Sequence, residues 1–423
     1  MNNWGKFESI YHKITFKRNQ VEYNKVLSFD VLWCIYNRDI VNSFKLNQLF
    51  YCFFKSPDIN PIKKSIYSNK LLVTNKTKRA DYLELINNAL DKIEDFNFIE
   101  LSQLEYKINF SIKHFFFALY NCVFVLKEGL GLKSYLYISS KLNHYIVIAE
   151  KLNKILSSDK EKEIKLQKYL SFNSAIGFEN LITQTLKREG IKTFTLSHEV
   201  LYGSYSKNIP LNNINGFNMS SDKILVWGEF SKSNLKDNFN MSEHKVVIGG
   251  NPKYKFKEIE VNKAFKRGIV ILPRDIYHKS NIKLLNILKE VKSNLAIEFS
   301  LKLHPSLRFE DYEEISKKFG FEIIGKNQTL LDCLSSDNYD FSVGYNTNAY
   351  YESMYFGMCF LRFKKFENEM FLGLEDEFND FDDFVRLIDM FKKEDSSILN
   401  SKFTDVLKKS IGLGIDQYKI HLN

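Results

Sequence analysis

A chain of 423 residues with 44% hydrophobic and 26% charged residues has the material for two buried cores, and only 6 prolines and 18 glycines exclude a collagen-like or linker-rich polymer. The formal net charge of +9 invites an anionic partner. Lys and Arg are spread along the chain without a nucleic-acid-binding motif, however, which argues against nucleic acid and for phosphate-bearing small molecules or a membrane surface. The cysteines Cys34, Cys52, Cys122, Cys333 and Cys359 never fall at short spacing, so a zinc ribbon is excluded and a reducing cytoplasm is expected.

The opening MNNWGKFESIYHK has no basic segment leading into an apolar one, so no secretory signal is expected. Residues 1–165 read as mainly helical, since Arg79–Ile93 and Leu142–Leu156 repeat apolar residues near i, i+3, i+4 and i+7. The most apolar run, His114–Leu126, falls short of the roughly 20 residues that a spanning helix needs. It reads as a buried helix, with shallow membrane contact as the sharper alternative. Ser157–Ile164 is charged and reads as an exposed connection.

From there the rhythm becomes strand, loop, helix. Lys168–Asn173, Gly190–Leu196, Lys223–Gly228 and Lys245–Gly250 read as strands, with a helix over Gly177–Arg188. The pattern restarts after Pro252 with strands Gly268–Pro273, Ala296–Leu303, Phe321–Ile324, Tyr339–Val343 and Cys359–Phe363. Helices are expected over Asn281–Ser293, Phe309–Phe319, Leu330–Ser335 and Asn348–Phe356. The acidic Glu375–Asp383 reads as a loop entering a helix. Such alternation predicts parallel α/β structure with right-handed crossovers. The expected domains are 1–255 (helical over 1–165, α/β over 166–255) and 256–400, followed by a terminal helix over 401–423.

Open parallel sheets bind ligands at the carboxyl ends of their strands, so the loops that follow strands carry the candidate chemistry. LKLHPS puts His304 and Ser306 directly after a strand, where an imidazole can donate to a phosphate oxygen, and Lys302 adds charge if it faces the site. The plainer reading is a histidine satisfied within its own loop. GYNTNAYYE joins a glycine, a polar turn and a helix start. Asn346, Thr347 and Asn348 suit a phosphate or ribose there, and Glu352 suits sugar hydroxyls, against the alternative of an ordinary helix cap. TLSHEVLYG places His198 and Glu199 side by side after a strand, either one a candidate base toward an acceptor hydroxyl. Gly250, Asn251 and Pro252 form a turn near the domain junction, as hinge or cleft wall. Arg274, after another strand, suits a diphosphate. No Walker loop, GxGxxG, HExxH or GxSxG occurs. Asp337–Asp340 and Glu375–Asp383 suggest metal ligands only faintly, and no metal site is expected.

Taken together, TLSHEVLYG, VWGE, GGNPK, and LKLHPS followed by SVGYNTNAYYES resemble the GT-B glycosyltransferases of bacterial surface-polysaccharide synthesis. The likeness is to capsule-type enzymes, polysialyltransferase-like and Kdo-transferase-like, and extends to the polyol-phosphate polymerases of teichoic acid synthesis. It spans about residues 165–365 and leaves the first 160 aside. The resemblance implies an α/β, GT-B-like fold of two Rossmann-like domains facing a cleft, with a helix-rich N-terminal region. It implies that His304 and the Asn346–Asn348 loop bind the donor nucleotide, with Lys302, Ser306, Arg274 and Glu352 in support. Two departures stand out: Tyr-Asn-Thr-Asn replaces a Ser/Thr pair, which leaves the nucleotide open, and Glu199 replaces a glycine after His198, which leaves the base open.

The implied activity is transfer of a sugar from a CMP-, UDP- or GDP-linked donor to a hydroxyl of a surface glycan, capsule or lipopolysaccharide. Inversion is expected, and no obligatory cofactor. The partners so implied are a nucleotide sugar and a glycan or lipid-linked glycan acceptor, with no nucleic acid. The location is cytoplasmic, with peripheral contact at the cytoplasmic face of the inner membrane as a further expectation. Two alternatives stand beside it: a CDP-polyol phosphotransferase of the same fold, and, in a different class, a non-catalytic glycan- or nucleotide-sugar-binding subunit of a polysaccharide assembly complex. A peripheral membrane scaffold using residues 114–126 is a third.

Overall fold

Short apolar runs alternating with amphipathic helices build two parallel sheets. The computed structural model describes residues 3–18, 20–76, 79–158, 163–201, 210–364 and 372–423. Residues 159–162 of the expected connection, and Tyr202 and Gly203 of the TLSHEVLYG loop, lie outside the described residues. In chain order the sheet strands are β1 (Leu71–Asn75), β2 (Phe96–Glu100), β3 (Lys168–Ser171), β4 (Lys192–Leu196), β5 (Lys223–Val226) and β6 (Val246–Ile248). They continue with β7 (Arg267–Leu272), β8 (Glu298–Leu303), β9 (Glu322–Ile323), β10 (Phe341–Gly344), β11 (Cys359–Phe363) and β12 (Glu377–Phe378).

The chain divides into two compact units: residues 1–227, 231–253 and 416–423 form the first, and residues 228–230 and 254–415 the second. Each contains one six-stranded sheet, ordered β6-β5-β4-β3-β1-β2 in the first unit and β9-β8-β7-β10-β11-β12 in the second. Every neighbouring pair in both sheets is parallel. The architecture is therefore α/β and GT-B-like, with two Rossmann-like units and a helix-rich N-terminal region.

The strands and helices expected between Lys168 and Phe363 are all present. Residues 1–165, expected as mainly helical, also supply β1 and β2. All five residues of β1 are buried, as in a parallel strand covered on both faces, and it pairs with β3 on one side and β2 on the other. Three apolar residues followed by Thr74 and Asn75 show no alternation that would separate the run from a buried helical segment. The helix Leu132–Ser158 is the axis of the helical region and packs on helices Tyr23–Tyr36, Leu46–Phe54, Ile112–Asn121 and Gly177–Arg188.

In the second unit, the heavy use of phenylalanine goes into the core. Phe299, Phe341 and Phe384 are packed edge to face at 6.1–6.4 Å. The stretch expected as one terminal helix is two. Ser396–Ile411 stops at Gly412, whose φ of 65° is a left-handed helix end that glycine adopts without strain. After the turn, Tyr418–Leu422 returns to the first unit, where the Tyr418 hydroxyl donates to the Gly250 carbonyl.

Two carboxylates of the acidic segments are engaged within the fold. Asp340 stands at the amino end of β10, opposite the loops that matter, and accepts from the Lys266 and Arg267 N–H groups at 3.1 and 2.9 Å. Asp376 is buried under the Arg362 guanidinium and the Tyr350 hydroxyl, and Glu377–Phe378 forms the edge strand β12 rather than a loop.

Candidate functional site

The second unit offers one cluster of strand-end loops. Register places Leu303 of β8 opposite Leu272 of β7, and Gly344 of β10 opposite Ile271, so the loops beginning at Pro273, His304 and Tyr345 leave the sheet at one level. The sheet order reverses between β7 and β10, and such a switch point is where open α/β sheets form a ligand crevice. Gly344 is required there: a Cβ would come within 2.8 Å of the Ile271 carbonyl. Asn346 follows with φ 49°, a left-handed conformation that asparagine tolerates better than most residues.

His304 is half-buried and tied to its own loop. The Ser306 N–H donates to His304 Nδ1 at 3.1 Å, which assigns the proton of the neutral ring to Nε2. Ser306 Oγ lies 2.9 Å from the same nitrogen and accepts from the Asp275 N–H at 3.4 Å, joining the loops after β7 and β8. Arg274 is exposed in the first of these loops. Thr347 Oγ1 accepts from the Ala349 N–H at 3.2 Å, so its side chain caps the turn into helix Ala349–Tyr355. Asn348 is the residue before that helix, and Glu352 lies half-buried one turn in. Lys302 is differently engaged: its ammonium donates to the Gln328 carbonyl in the loop beyond β9.

The residue that unites these loops escaped sequence reasoning. Asn281, fully buried in helix His278–Leu295, donates from Nδ2 to the Tyr312 hydroxyl at 3.0 Å and to the Pro273 carbonyl at 3.4 Å. Its Oδ1 accepts from the Tyr345 hydroxyl at 2.6 Å, and His278 Nδ1 lies 3.1 Å from the Tyr312 hydroxyl. One amide thereby holds the starts of two site loops and the helix behind the third. The available signal was an asparagine on the apolar stripe Asn281, Leu284, Leu285, Leu288. Asn281→Ala leaves the two tyrosine hydroxyls without this partner and is expected to cost about 2 kcal/mol in urea unfolding. An unchanged midpoint would remove Asn281 from that role.

In the first unit, His198 and Glu199 follow β4 as a loop, with both side chains half-buried. The His198 ring stacks on Phe172 at 5.0 Å and meets Tyr82 edge-on at 5.3 Å. Glu199 Oε1 accepts from Asn215 Nδ2 at 3.0 Å, and Asn215 Oδ1 accepts from Asn173 Nδ2 at 3.1 Å, so the carboxylate is oriented through two amides. The loop is anchored from below by Trp227, whose Nε1–H donates to the Ser197 carbonyl at 2.9 Å. Gly250 and Asn251 lie where β6 ends, and Asn251 Oδ1 accepts from the Lys253 N–H at 2.9 Å, closing the turn through Pro252. The chain leaves the first unit directly afterwards, between Lys253 and Tyr254.

Two further polar groups at strand ends were not anticipated, because the strand that delivers one of them was not. The order in the first unit reverses between β1 and β3, and Lys76 and Glu179 stand there. Lys76 follows β1 and sets its ammonium 5.7 Å over the Phe29 ring. Protein packed around its ammonium lowers its pKa, Asp30 pulls it up, Lys141 lowers it further and Glu179 raises it. Asp30 accepts from the Tyr137 and Tyr145 hydroxyls, each at 3.1 Å.

Glu179 is fully buried, and burial raises its pKa from 4.5 to about 7 against hydrogen bonds from the Phe172 N–H (2.8 Å) and the Thr74 hydroxyl (3.0 Å). Below 4.5 the carboxyl is protonated whether the chain is folded or not. Between 4.5 and about 7 only the folded protein holds the proton, so stability falls as pH rises, by up to about 1.4 kcal/mol per unit. Urea titrations across that window should show a shallower decline for Glu179→Gln than for the wild type. Parallel curves would refute the assignment.

Among the described residues no group of three or more His, Cys, Asp or Glu is placed to hold a metal ion. All five cysteines are buried thiols.

No family model matches the chain, and no curated protein matches it. Among solved structures it is similar to the UDP-GlcNAc 2-epimerase of Methanocaldococcus jannaschii in complex with UDP-GlcNAc and UDP. That match has 14% identity and a TM-score of 0.48, over 83% of this chain and 97% of that one. The UDP-GlcNAc 2-epimerase from Neisseria meningitidis bound to UDP-GlcNAc matches at 13% identity and a TM-score of 0.47, covering 83% and 98%. The lipopolysaccharide outer core galactosyltransferase WaaB, in its apo form, matches at 12% identity and a TM-score of 0.45, covering 80% and 97%. These likenesses concern the fold.

Proposed function

We propose that the protein is a glycosyltransferase that moves a sugar from a nucleotide-sugar donor to a hydroxyl of a surface glycan, with inversion and without an obligatory metal. The observation that carries the reading is the convergence of three strand-end loops at the switch point of the second unit. They bring an exposed arginine, a positioned histidine and the polar turn Asn346–Asn348 to one edge. That set of donors suits the phosphates and ribose of a nucleotide.

In this mechanism the second unit holds the donor. The Nε2–H of His304 and the Arg274 guanidinium stabilise the charge that grows on the departing phosphate, while Glu352 orients sugar hydroxyls. The first unit activates the acceptor. Glu199, held by Asn215, takes the hydroxyl proton as the acceptor oxygen bonds to the anomeric carbon and the bond from that carbon to the phosphate oxygen breaks. The nucleotide leaves with both electrons of that bond. Lys302, bound to the Gln328 carbonyl, supports its loop rather than the donor. The acceptor is a capsule or lipopolysaccharide glycan, free or lipid-linked, reached at the cytoplasmic face of the inner membrane.

Thermal unfolding with CMP, CDP, UDP and GDP, each with and without magnesium, tests the donor site. One nucleotide should raise the melting temperature, with or without the metal, and the shift should vanish in His304→Ala. A shift with CDP alone would redirect assays to polyol-phosphate transfer. No shift with any of them, in folded protein, would overturn the donor reading in favour of a non-catalytic glycan-binding subunit.

A further inference from the structure

The helix Ile112–Asn121 is apolar on both sides. His114, Ala118 and the following Cys122 face the interior, where the helix packs on Leu132–Ser158. On the other side, Ile112, Phe116 and Tyr120, four residues apart, are 65, 61 and 80% exposed. Helices apolar all round are normally covered, and no described residue of the first unit covers this stripe.

The patch continues onto a neighbouring antiparallel strand pair, Lys55–Pro57 with Tyr106–Ile108, where Ile108 is 84% exposed. Ring contacts make it continuous: Phe54 stacks on Phe110 at 5.1 Å, Phe110 meets Phe115 at 5.9 Å, and Phe115 meets Phe116 at 5.4 Å. Its border is basic. Exposed Lys45, Lys113 and Lys127 adjoin Leu46, Ile112 and Leu126, and Lys55 stands 5.1 Å over the Tyr51 ring. Of the nearby acids, Asp58 is tied to Lys107 at 2.6 Å and Glu128 to Lys13, leaving exposed Asp39, in the short helix Arg38–Ser43, and Glu105, just before the strand Tyr106–Ile108.

We infer that this face docks on an anionic phospholipid bilayer, with Ile108, Phe116 and Tyr120 entering the headgroup region and Lys45, Lys113 and Lys127 meeting lipid phosphates. Charge selects this occupant over a second copy of the chain. Pairing the patch with itself would set lysine against lysine, whereas anionic lipid complements the same border. No described helix is long and apolar enough to cross a membrane, so the contact is peripheral. The inference extends the transfer reading to an acceptor carried at a membrane surface, and its test reads binding rather than transfer.

The full chain is sedimented with vesicles of phosphatidylcholine, with and without phosphatidylglycerol. It should bind only the anionic vesicles, and less as salt rises. The variant Ile108→Ser/Phe116→Ser/Tyr120→Ser should bind about tenfold more weakly, while keeping the wild-type melting temperature and nucleotide-induced shift. Lys113→Glu/Lys127→Glu, which leaves the apolar stripe intact, should also lose binding and decides the matter should the first variant fail to fold. Failure of the wild type to bind phosphatidylglycerol vesicles overturns the inference, as does undiminished binding by the charge variant. A wild-type dimer in light scattering that the serine variant converts to monomer, without vesicle binding, assigns the face to a second copy instead. A lost nucleotide shift with vesicle binding retained would count against the transferase alone.

Discussion

His304→Ala should lower the rate of sugar transfer by about 100- to 1,000-fold with little change in stability. The ring is half-buried on a strand-end loop, so its removal costs little folding energy. Its chemical contribution depends on orientation: Nδ1 accepts from the Ser306 N–H, which leaves Nε2 as the proton-bearing nitrogen of the neutral ring. A donor of this kind strengthens as charge builds on the departing phosphate oxygen, so the loss should fall on kcat more than on KM. Glutamine retains a donor and should recover part of the rate. A kcat unchanged in the alanine variant would remove His304 from the chemistry.

Glu199→Ala is expected to cost about 100-fold or more in kcat, the range of a lost general base. The carboxylate is held in one orientation by Asn215, which is itself tied to Asn173. Asn215→Ala should therefore lower kcat less than Glu199→Ala does, with KM little changed. His198 stacks its ring on Phe172 and meets Tyr82 edge-on, and its alanine variant should retain more activity than that of Glu199. The reverse order, with His198→Ala the slower enzyme and Glu199→Ala near wild type, would move the base to the histidine.

Much of the α/β architecture was legible because it rests on local chemistry. Strands such as Gly268–Leu272 are apolar runs bounded by turn residues, and the helices between them carry a clean apolar stripe. The loops after them could then be ranked by position alone, which is how His304, Arg274 and Asn346–Asn348 came forward. β1 was missed because Leu71–Asn75 is buried on every residue, so no alternation marks it as a strand, and with it went the switch point of the first unit and Lys76. Lys302 was judged by its place in the sequence, but the direction of a long side chain at a strand end depends on which loop offers an acceptor, here Gln328.

The sequence by itself determined the order of strands and helices over the two α/β stretches and the strand-end position of the histidine and polar loops. Each follows from composition, periodicity or spacing over a few residues. Only the tertiary structure decided which strands are neighbours, and therefore where each sheet reverses and which loops share an edge. It also decided that Asn281 joins two of those loops, that Glu199 is steadied by Asn215, and that one side of Ile112–Asn121 is left uncovered. Those are matters of partners distant in the chain. A buried amide or an exposed phenylalanine looks the same in sequence whichever neighbour the fold supplies, because hydrogen bonding and burial are settled by packing, not by the residue's own propensity.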